Sequence, residues 1–411
     1  MHPIRSSRSV ALRHRPDSRA LPRRRRRGKC ALTAFLVVAP AVVDATSAGA
    51  TSASGAVWVS PSGSDRNPCT AAEPCATISH AVNAAPSGGT VKVKRGTYDQ
   101  VVVIEKPITL VGQRGAVVDG WGQDPGAPLL GVLYIGGPGG TTASEDIGGD
   151  VTVRGLTLED PNPDAQTYGD GVCLQPVIVG VYDGDPTDVI TITHDTLLEG
   201  TADPAAVDDG PIGLDTLDSW SRLVVTHTSI RGVWQGLLLE DNGPSSVTRN
   251  RVSDLITFNA PDAGTSLHQS PTEPEQCVAQ AQDDGTTTYA SEGVTLLADD
   301  AGEAMADQTV AHNRLFSYAG DGVDLTSAYG AGHLRDVEVG WNDFDLGGFA
   351  ASGAVRVVAD DGGTVSHATI EFNRGSVAAP SDAITEDDSG GPPSGGTISD
   401  VTVEHDRIRS P

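Results

Sequence analysis

Three residues stand at equivalent places in copies of one short recurring segment. They are Asp215 in Gly213-Leu-Asp-Thr-Leu217, Asp324 in Gly322-Val-Asp-Leu325 and Arg356 in Ala354-Val-Arg-Val357. These copies alternate apolar and polar residues, the pattern of a strand with one buried face. The two carboxylates and the guanidinium therefore fall on the outward side. A carboxylate beside a guanidinium can move protons or help hold calcium. Two carboxylates at a suitable separation could serve glycoside hydrolysis. The competing account is an ion pair on a solvated sheet.

The elements that must position these groups recur along the chain. Besides the segments above, the second strand type includes Gly171-Val-Cys-Leu174, Gly236-Leu-Leu-Leu239, Gly293-Val-Thr-Leu296 and Ala383-Ile-Thr-Glu386. A polar residue often stands just ahead of it: Asp170, Gln235, Glu292, Asp321, Asp382. Between these copies runs a first strand type, as in Ile190-Thr-Ile-Thr-His-Asp195 and Val337-Glu-Val-Gly-Trp-Asn342. No single copy can bury its own apolar face, so the copies must stack as a coil. The outward column of the second strand type then reads Cys173, Asp215, Leu238, Thr295, Asp324, Arg356, Thr385. At about 4.8 Å per coil, Asp324 and Arg356 are neighbours and Asp215 is about 14 Å from Asp324. Glu240, Asp241, Asp299 and Asp300 mark downstream strand ends on the same side.

The polar ends of the first strand type, Asp195, Thr228, Asn250, Asn313, Asn342, Asn373 and Asp406, should form a turn ladder. His194, His227, His312 and His405 each precede a ladder position. Their shared place in the repeat predicts a structural role for this column.

Composition agrees with many short strands and frequent corners. Among 411 residues there are 49 Gly and 26 Pro, and aromatics are only 4%. That balance disfavours a helical bundle or a multi-spanning membrane protein. Beyond residue 50 the chain has 17 basic and 52 acidic residues, a formal charge of −35. Such a domain repels nucleic acid and anionic membranes. It would also repel a polyanionic sugar unless a divalent cation or local Arg residues screened the contact.

Residues 1–50 read as an export signal. Arg23-Arg-Arg-Arg-Arg-Gly-Lys29 precedes the apolar run Ala31–Val43, and Ala48-Gly-Ala50 offers a cleavage site. The apolar run is short for a membrane span, and an uncleaved anchor is the alternative. The expected product is a secreted monomer with no membrane attachment. Cleavage leaves Cys69, Cys75, Cys173 and Cys277, an even number compatible with two disulfides. Cys69 with Cys75 is the local pairing, which leaves Cys173 with Cys277.

The segment from residue 57 to 120 begins the stack. Val57-Trp-Val59 reads as a strand and Ala76–Ala85 as a short helix that caps the open end. Gly88-Gly-Thr-Val-Lys-Val93, Arg95-Gly-Thr-Tyr98, Ile108-Thr-Leu-Val-Gly112 and Val117-Val-Asp-Gly120 follow. This series resembles the N-terminal part of secreted right-handed parallel β-helix proteins of the pectate-lyase-like superfamily. With the later repeats the resemblance covers 57–411. It implies an all-β, right-handed parallel β-helix solenoid of about ten coils with a short N-terminal capping helix. The expected organisation is an export signal over 1–50 and a β-helix domain over 51–411, with cap and first coils at 57–120, repeats at 150–411 and an insertion at 253–290.

The resemblance further implies that carbohydrate lies along an exposed parallel sheet. It does not name a reaction, because lyases, hydrolases, epimerases and adhesins share this scaffold. No Lys follows Lys106, so a lyase with a Lys/Arg pair on the central coils is excluded. Tyr168-Gly-Asp-Gly171 lacks the Pro-His that completes the uronan-epimerase signature, and the His-Gly and Arg-x-Lys elements of polygalacturonase-type hydrolases are missing. The expectation is a protein that binds or cleaves an extracellular polysaccharide, as a lyase or a glycoside hydrolase. The alternative is a noncatalytic surface or adhesion protein. Asp324 is assigned acid/base work, Arg356 stabilises uronate or oxyanion charge, and Asp215 contacts sugar or calcium. Trp234, Glu240, Tyr329 and His268 are candidate substrate contacts, His268 from the insertion. Asp299 and Asp300 are candidate calcium ligands.

Overall fold

The computed structural model describes residues 55–120, 131–136, 146–159, 177–199, 211–217, 219–255, 265–269, 277–281, 292–298, 304–316, 320–327, 332–345, 353–359, 362–376, 384–387 and 396–409. All lie within one unit, Ser54–Pro411. The chain winds through three parallel sheets of 12, 10 and 9 strands, so a typical coil gives one strand to each. Val189–Thr193, Thr196–Leu198 and Ile212–Leu217 make one such coil, and Arg222–Thr226 opens the next. Thr193 pairs with Thr226, Leu197 with Ile230 and Leu214 with Leu237. We call these the first, second and third sheets.

Sequence alternation sorts side chains between core and surface. Ile190 and Ile192 are buried while Thr191 is half-buried, and Leu197 and Leu214 supply the inward residues of the other two sheets. Repeated coil after coil, these form one continuous apolar column. The second sheet is not separable from the sequence pattern. Its strands are mostly three residues long and follow the ladder residue directly, too short to show a period.

The ladder itself is continuous. The backbone N–H groups of Thr228, Asn250, Asn313 and Asn342 donate to the side-chain oxygens of Asn250, Asn313, Asn342 and Asn373, each at 2.9 Å. Each bond satisfies a buried backbone donor at a corner where no strand can reach it. The residue ahead of each rung is left-handed: φ is 57° at His194, 59° at His312, 60° at Trp341 and 61° at His405. These side chains point outward and stack, with His194 and His227 4.8 Å apart and Trp341 and Phe372 4.3 Å apart. The histidines share a repeat position with Trp and Phe, which explains their column without catalysis.

At the N-terminal end a helix, Ile78–Ala84, packs Ile78, Ala81 and Val82 against the first coils. Thr77 caps it, accepting from the His80 N–H, and donates its hydroxyl to Asp65. Cys69 and Cys75 form a disulfide. Cys173 lies outside the described residues, as does the Cys277 side chain. Within the 253–290 insertion, Thr265–Gln269 and Cys277–Ala281 form an antiparallel hairpin. Among the described residues no helix is long and apolar enough to cross a membrane.

Candidate functional site

The third sheet carries the chemistry-bearing column. Gly180, Asp215, Leu238, Thr295, Asp324, Arg356 and Thr385 are in direct register from coil to coil. One member differs from the sequence expectation. The strand of the first of these coils is Val177–Tyr182, which puts Gly180 where Cys173 was expected. That strand is apolar over most of its length, so alternation does not reveal it.

A glycine column sets the entry into this sheet. A Cβ on Gly236 would meet the Gly293 carbonyl oxygen at 2.2 Å, and one on Gly293 would meet that of Gly322 at 2.5 Å. Only glycine permits this close approach of successive corners. The polar residue ahead of each glycine is thereby held against the strand that follows.

Asp324 and Arg356 face each other on adjacent coils, with Arg356 Nη1 3.6 Å from Asp324 Oδ2. The Asp324 side chain is 6% exposed and that of Arg356 38%, so the pair is open on the cationic side. Thr326 donates its hydroxyl to Asp324 Oδ1 at 2.9 Å. On the preceding coil the Thr295 hydroxyl donates to Glu292 Oε2, and Gln235 Nε2 donates to Thr295 Oγ1 at 2.7 Å. Asp321 Oδ1 accepts from the Gly353 N–H at 2.9 Å.

These neighbours displace the acidities in a useful order. Burial, then the negative charge of Asp324, pushes Glu292 up to about 8. Burial also raises Asp324, to about 6, but the Arg356 guanidinium and a hydrogen bond with Glu292 hold it back. Asp321 is raised by burial as well. The result is one carboxyl that keeps its proton beside another that gives it up near neutrality.

Asp215 belongs to a second group on the same sheet. Tyr182 donates its hydroxyl to Asp215 Oδ2 at 3.2 Å, and burial pushes Asp215 up to about 7. The Tyr182 ring stacks against Tyr134 at 6.2 Å, and Trp234 and Leu238 pack on this aromatic patch. The Trp234 indole N–H is buried without a hydrogen-bond partner. Glu240 lies at the downstream end of its strand, its N–H donating to the Thr216 hydroxyl at 3.1 Å. Tyr329, Asp299 and Asp300 lie outside the described residues. His268 pairs with Val278 in the hairpin, and its side chain lies outside the described residues too.

Sequence reasoning did not assign Glu292, Gln235, Tyr134 or Tyr182 to the site. The available signal for the first two was the polar residue recurring ahead of the second strand type. A cavity of about 620 Å³ lies away from this sheet, against the ring column, lined by His312, Trp341, Phe372, Arg374, His405 and Arg407. The only carboxyl in its lining is Asp406, which is the last rung of the ladder.

No family model matches the chain, and no curated protein matches it either. Solved structures do resemble it. XylC in complex with xylose is 12% identical with a TM-score of 0.47, covering 78% of this chain and 67% of its own. Pectin methylesterase PemA from Erwinia chrysanthemi is 12% identical with a TM-score of 0.32, covering 86% and 92%. The family 28 exopolygalacturonase of Yersinia enterocolitica is 10% identical with a TM-score of 0.32, covering 80% and 74%. At such identities the likeness concerns the winding of the chain and not its chemistry. The chain itself winds as a parallel β-helix of three stacked sheets.

Proposed function

We propose that the third sheet is the active groove of an exported polysaccharide-modifying hydrolase that cleaves an ester substituent on the polymer. The observation that carries this reading is the contact of Glu292 with Asp324 and the order of their acidities. Carboxyls that cleave a glycosidic bond flank it on opposite faces, about 5 to 9 Å apart. The charge of Asp324 acts on Glu292 from the next coil of the same sheet, so the two carboxyls work from one face. A planar ester carbon accepts attack and proton transfer from a single face, as a proton-sharing carboxyl pair provides.

In this scheme Asp324 takes a proton from water as the water oxygen bonds to the ester carbon. Glu292 gives its proton to the carbonyl oxygen, so no full negative charge develops there. Collapse returns that proton to Glu292 and passes the Asp324 proton to the departing alcohol, leaving a free acid. Arg356 keeps Asp324 oriented and ionised, and Thr295 orients Glu292. A polymer along the sheet would also reach the aromatic patch around Asp215.

A lyase reading is less well supported. It needs cations to neutralise a uronate, and here Glu292, Asp321 and Asp324 surround the single guanidinium of Arg356, which already pairs with Asp324.

The test is incubation with acylated and alkylated polysaccharides. Release of acid or alcohol, without new reducing ends and without unsaturated-uronate absorbance, is expected. Reducing ends alone would replace this reading with glycoside hydrolysis, and reducing ends with that absorbance would replace it with a lyase. Retention on polymer without any product would replace it with a binding role.

A further inference from the structure

The corner between the first and second sheets, where the ladder runs, carries a concave surface of its own. The ring column stands one place ahead of the rungs. One place after them stands a second column, Arg251, Arg314, Asp343, Arg374 and Arg407, in direct register from coil to coil. Arg249, Arg251, Arg314, Arg374 and Arg407 are five of the 17 basic residues beyond residue 50. All five thus stand beside a rung, in a domain whose formal charge is −35. Positive charge is concentrated at this corner against the charge of the whole.

The cavity of about 620 Å³ at this corner is lined by both columns, by Trp341, Phe372 and His405 from one and by Arg374 and Arg407 from the other. Trp341 is 50% exposed, more than any other large apolar residue described. Its ring, Phe372 and His405 stack at 4.3 and 4.7 Å with planes within 13° and 4° of each other. The rings therefore cover one another's faces and leave their edges to the cavity. A ring edge carries partial positive charge. A ligand here meets positive edges from one column and guanidinium groups from the other.

The guanidinium groups are not neutralised. Arg314 and Arg374 share the single carboxylate of Asp343, at 3.9 and 3.2 Å. Among the described residues no carboxylate pairs with Arg407. Asp406 Oδ1 accepts from the Asn373 N–H and its Oδ2 is buried, so this carboxyl serves the ladder. Glu371 and Glu404, one place ahead of Phe372 and His405, are not in the lining.

Charge complementarity selects an anionic occupant. Duplex nucleic acid carries a charge every ~1.7 Å and would press many phosphates against the acidic remainder of the domain. A carboxylated sugar chain brings one charge per unit, in a planar group that matches the guanidinium fork. We propose that this groove binds a carboxylated oligosaccharide, with Arg374 and Arg407 holding its carboxylates beside Trp341 and Phe372. It is a docking site separate from the third sheet, and it does not depend on the reaction proposed above.

Titration of the full chain with hexagalacturonate tests it, in chelator so that calcium cannot bridge sugar to protein. Tryptophan emission should change in the parent and not in Trp341→Phe, a variant that repeats the ring found at the same place in the next coil. Arg407→Gln and Arg374→Gln should each weaken calorimetric binding at least about tenfold. Both side chains are exposed, so these variants should melt at the parent temperature. Cellohexaose, neutral and of equal length, should bind at least about tenfold more weakly, and added salt should weaken the hexagalacturonate complex. No Trp341-dependent signal at millimolar hexagalacturonate, equal affinity for cellohexaose, or parent-like binding by Arg407→Gln would each overturn the proposal. Tighter binding of a thymidylate hexamer would overturn it in favour of nucleic acid.

Discussion

Asn342 Oδ1 accepts two hydrogen bonds from Asn313, one from its backbone N–H at 2.9 Å and one from Nδ2 at 3.1 Å. Asn342 Nδ2 in turn donates to the Val310 carbonyl at 2.9 Å, and the residue is fully buried. One side chain thus serves backbone groups on the coil before its own. Alanine here leaves a buried N–H and a buried carbonyl without partners, at about 1 to 3 kcal/mol each. Asn342→Ala should lower stability by about 2 to 5 kcal/mol in urea unfolding, and an unchanged midpoint would show that water replaces the rung.

Gly293 is fixed by space. A Cβ there would lie 2.5 Å from the Gly322 carbonyl oxygen and 2.9 Å from Leu315 Cδ2. The backbone must move to relieve the first contact. Gly293→Ala should cost about 1 to 3 kcal/mol. It should also displace Glu292, the residue immediately before it, so the loss of turnover should exceed what the loss of folded protein explains.

The proposed reaction needs Asp324 ionised and Glu292 protonated. The rate should therefore rise through about pH 6 and fall through about pH 8, as a bell belonging to the coupled pair. Arg356 lowers the pKa of Asp324, so Arg356→Leu should move the acid limb to higher pH as well as reduce the maximum. Glu292→Gln and Asp324→Asn should each reduce turnover about 100-fold or more. A pH profile whose acid limb stays put in Arg356→Leu would detach Asp324 from the role of base.

Asp195 makes stability depend on pH in the opposite sense from a paired surface carboxylate. Burial pushes it from 3.8 up to about 7, against hydrogen bonds from the Leu156 and Thr193 N–H groups. The folded chain holds a proton there that the unfolded chain releases. Its contribution is therefore complete below about pH 4 and declines until about pH 7, where the ionised form must be accommodated. The decline should be on the order of 3 kcal/mol. Asparagine, which occupies other rungs, cannot ionise. Asp195→Asn should flatten this part of the stability curve in urea melts at pH 4.5, 6 and 7.5, and an equally steep curve would assign the dependence to another group.

Much of this was legible in the residues because a stacked coil converts sequence equivalence into spatial adjacency. Asp324 and Arg356 could be placed side by side by aligning the segments on Gly322 and Ala354. The rungs from Asn250 to Asn373 could be read from the polar residue closing each first-type strand. Three-residue strands such as Thr196–Leu198 could not, since alternation needs more residues to register. Glu292 was visible as a position but not as an acid. Its chemistry comes from being folded against Asp324, across a coil boundary that crosses 32 residues of sequence. Val177–Tyr182 was misplaced onto Gly171–Leu174 because both of its faces are covered, so no polar residue marks an outward side.

The corner between the second and third sheets joins Ser253 to Val294 in one coil and Ser229–Arg231 to Gln235 in another, yet the flanking rungs close alike. Asn250 receives Thr228 from 22 residues away and Asn313 receives Asn250 from 63 residues away, both at 2.9 Å. The winding is thus indifferent to how much chain is spent at that corner. The same corner borders the groove at Gln235, Glu292 and Asp321. Insertions there can remodel what reaches the carboxyl pair while the pair itself stays in register, so substrate choice and scaffold can change along separate axes.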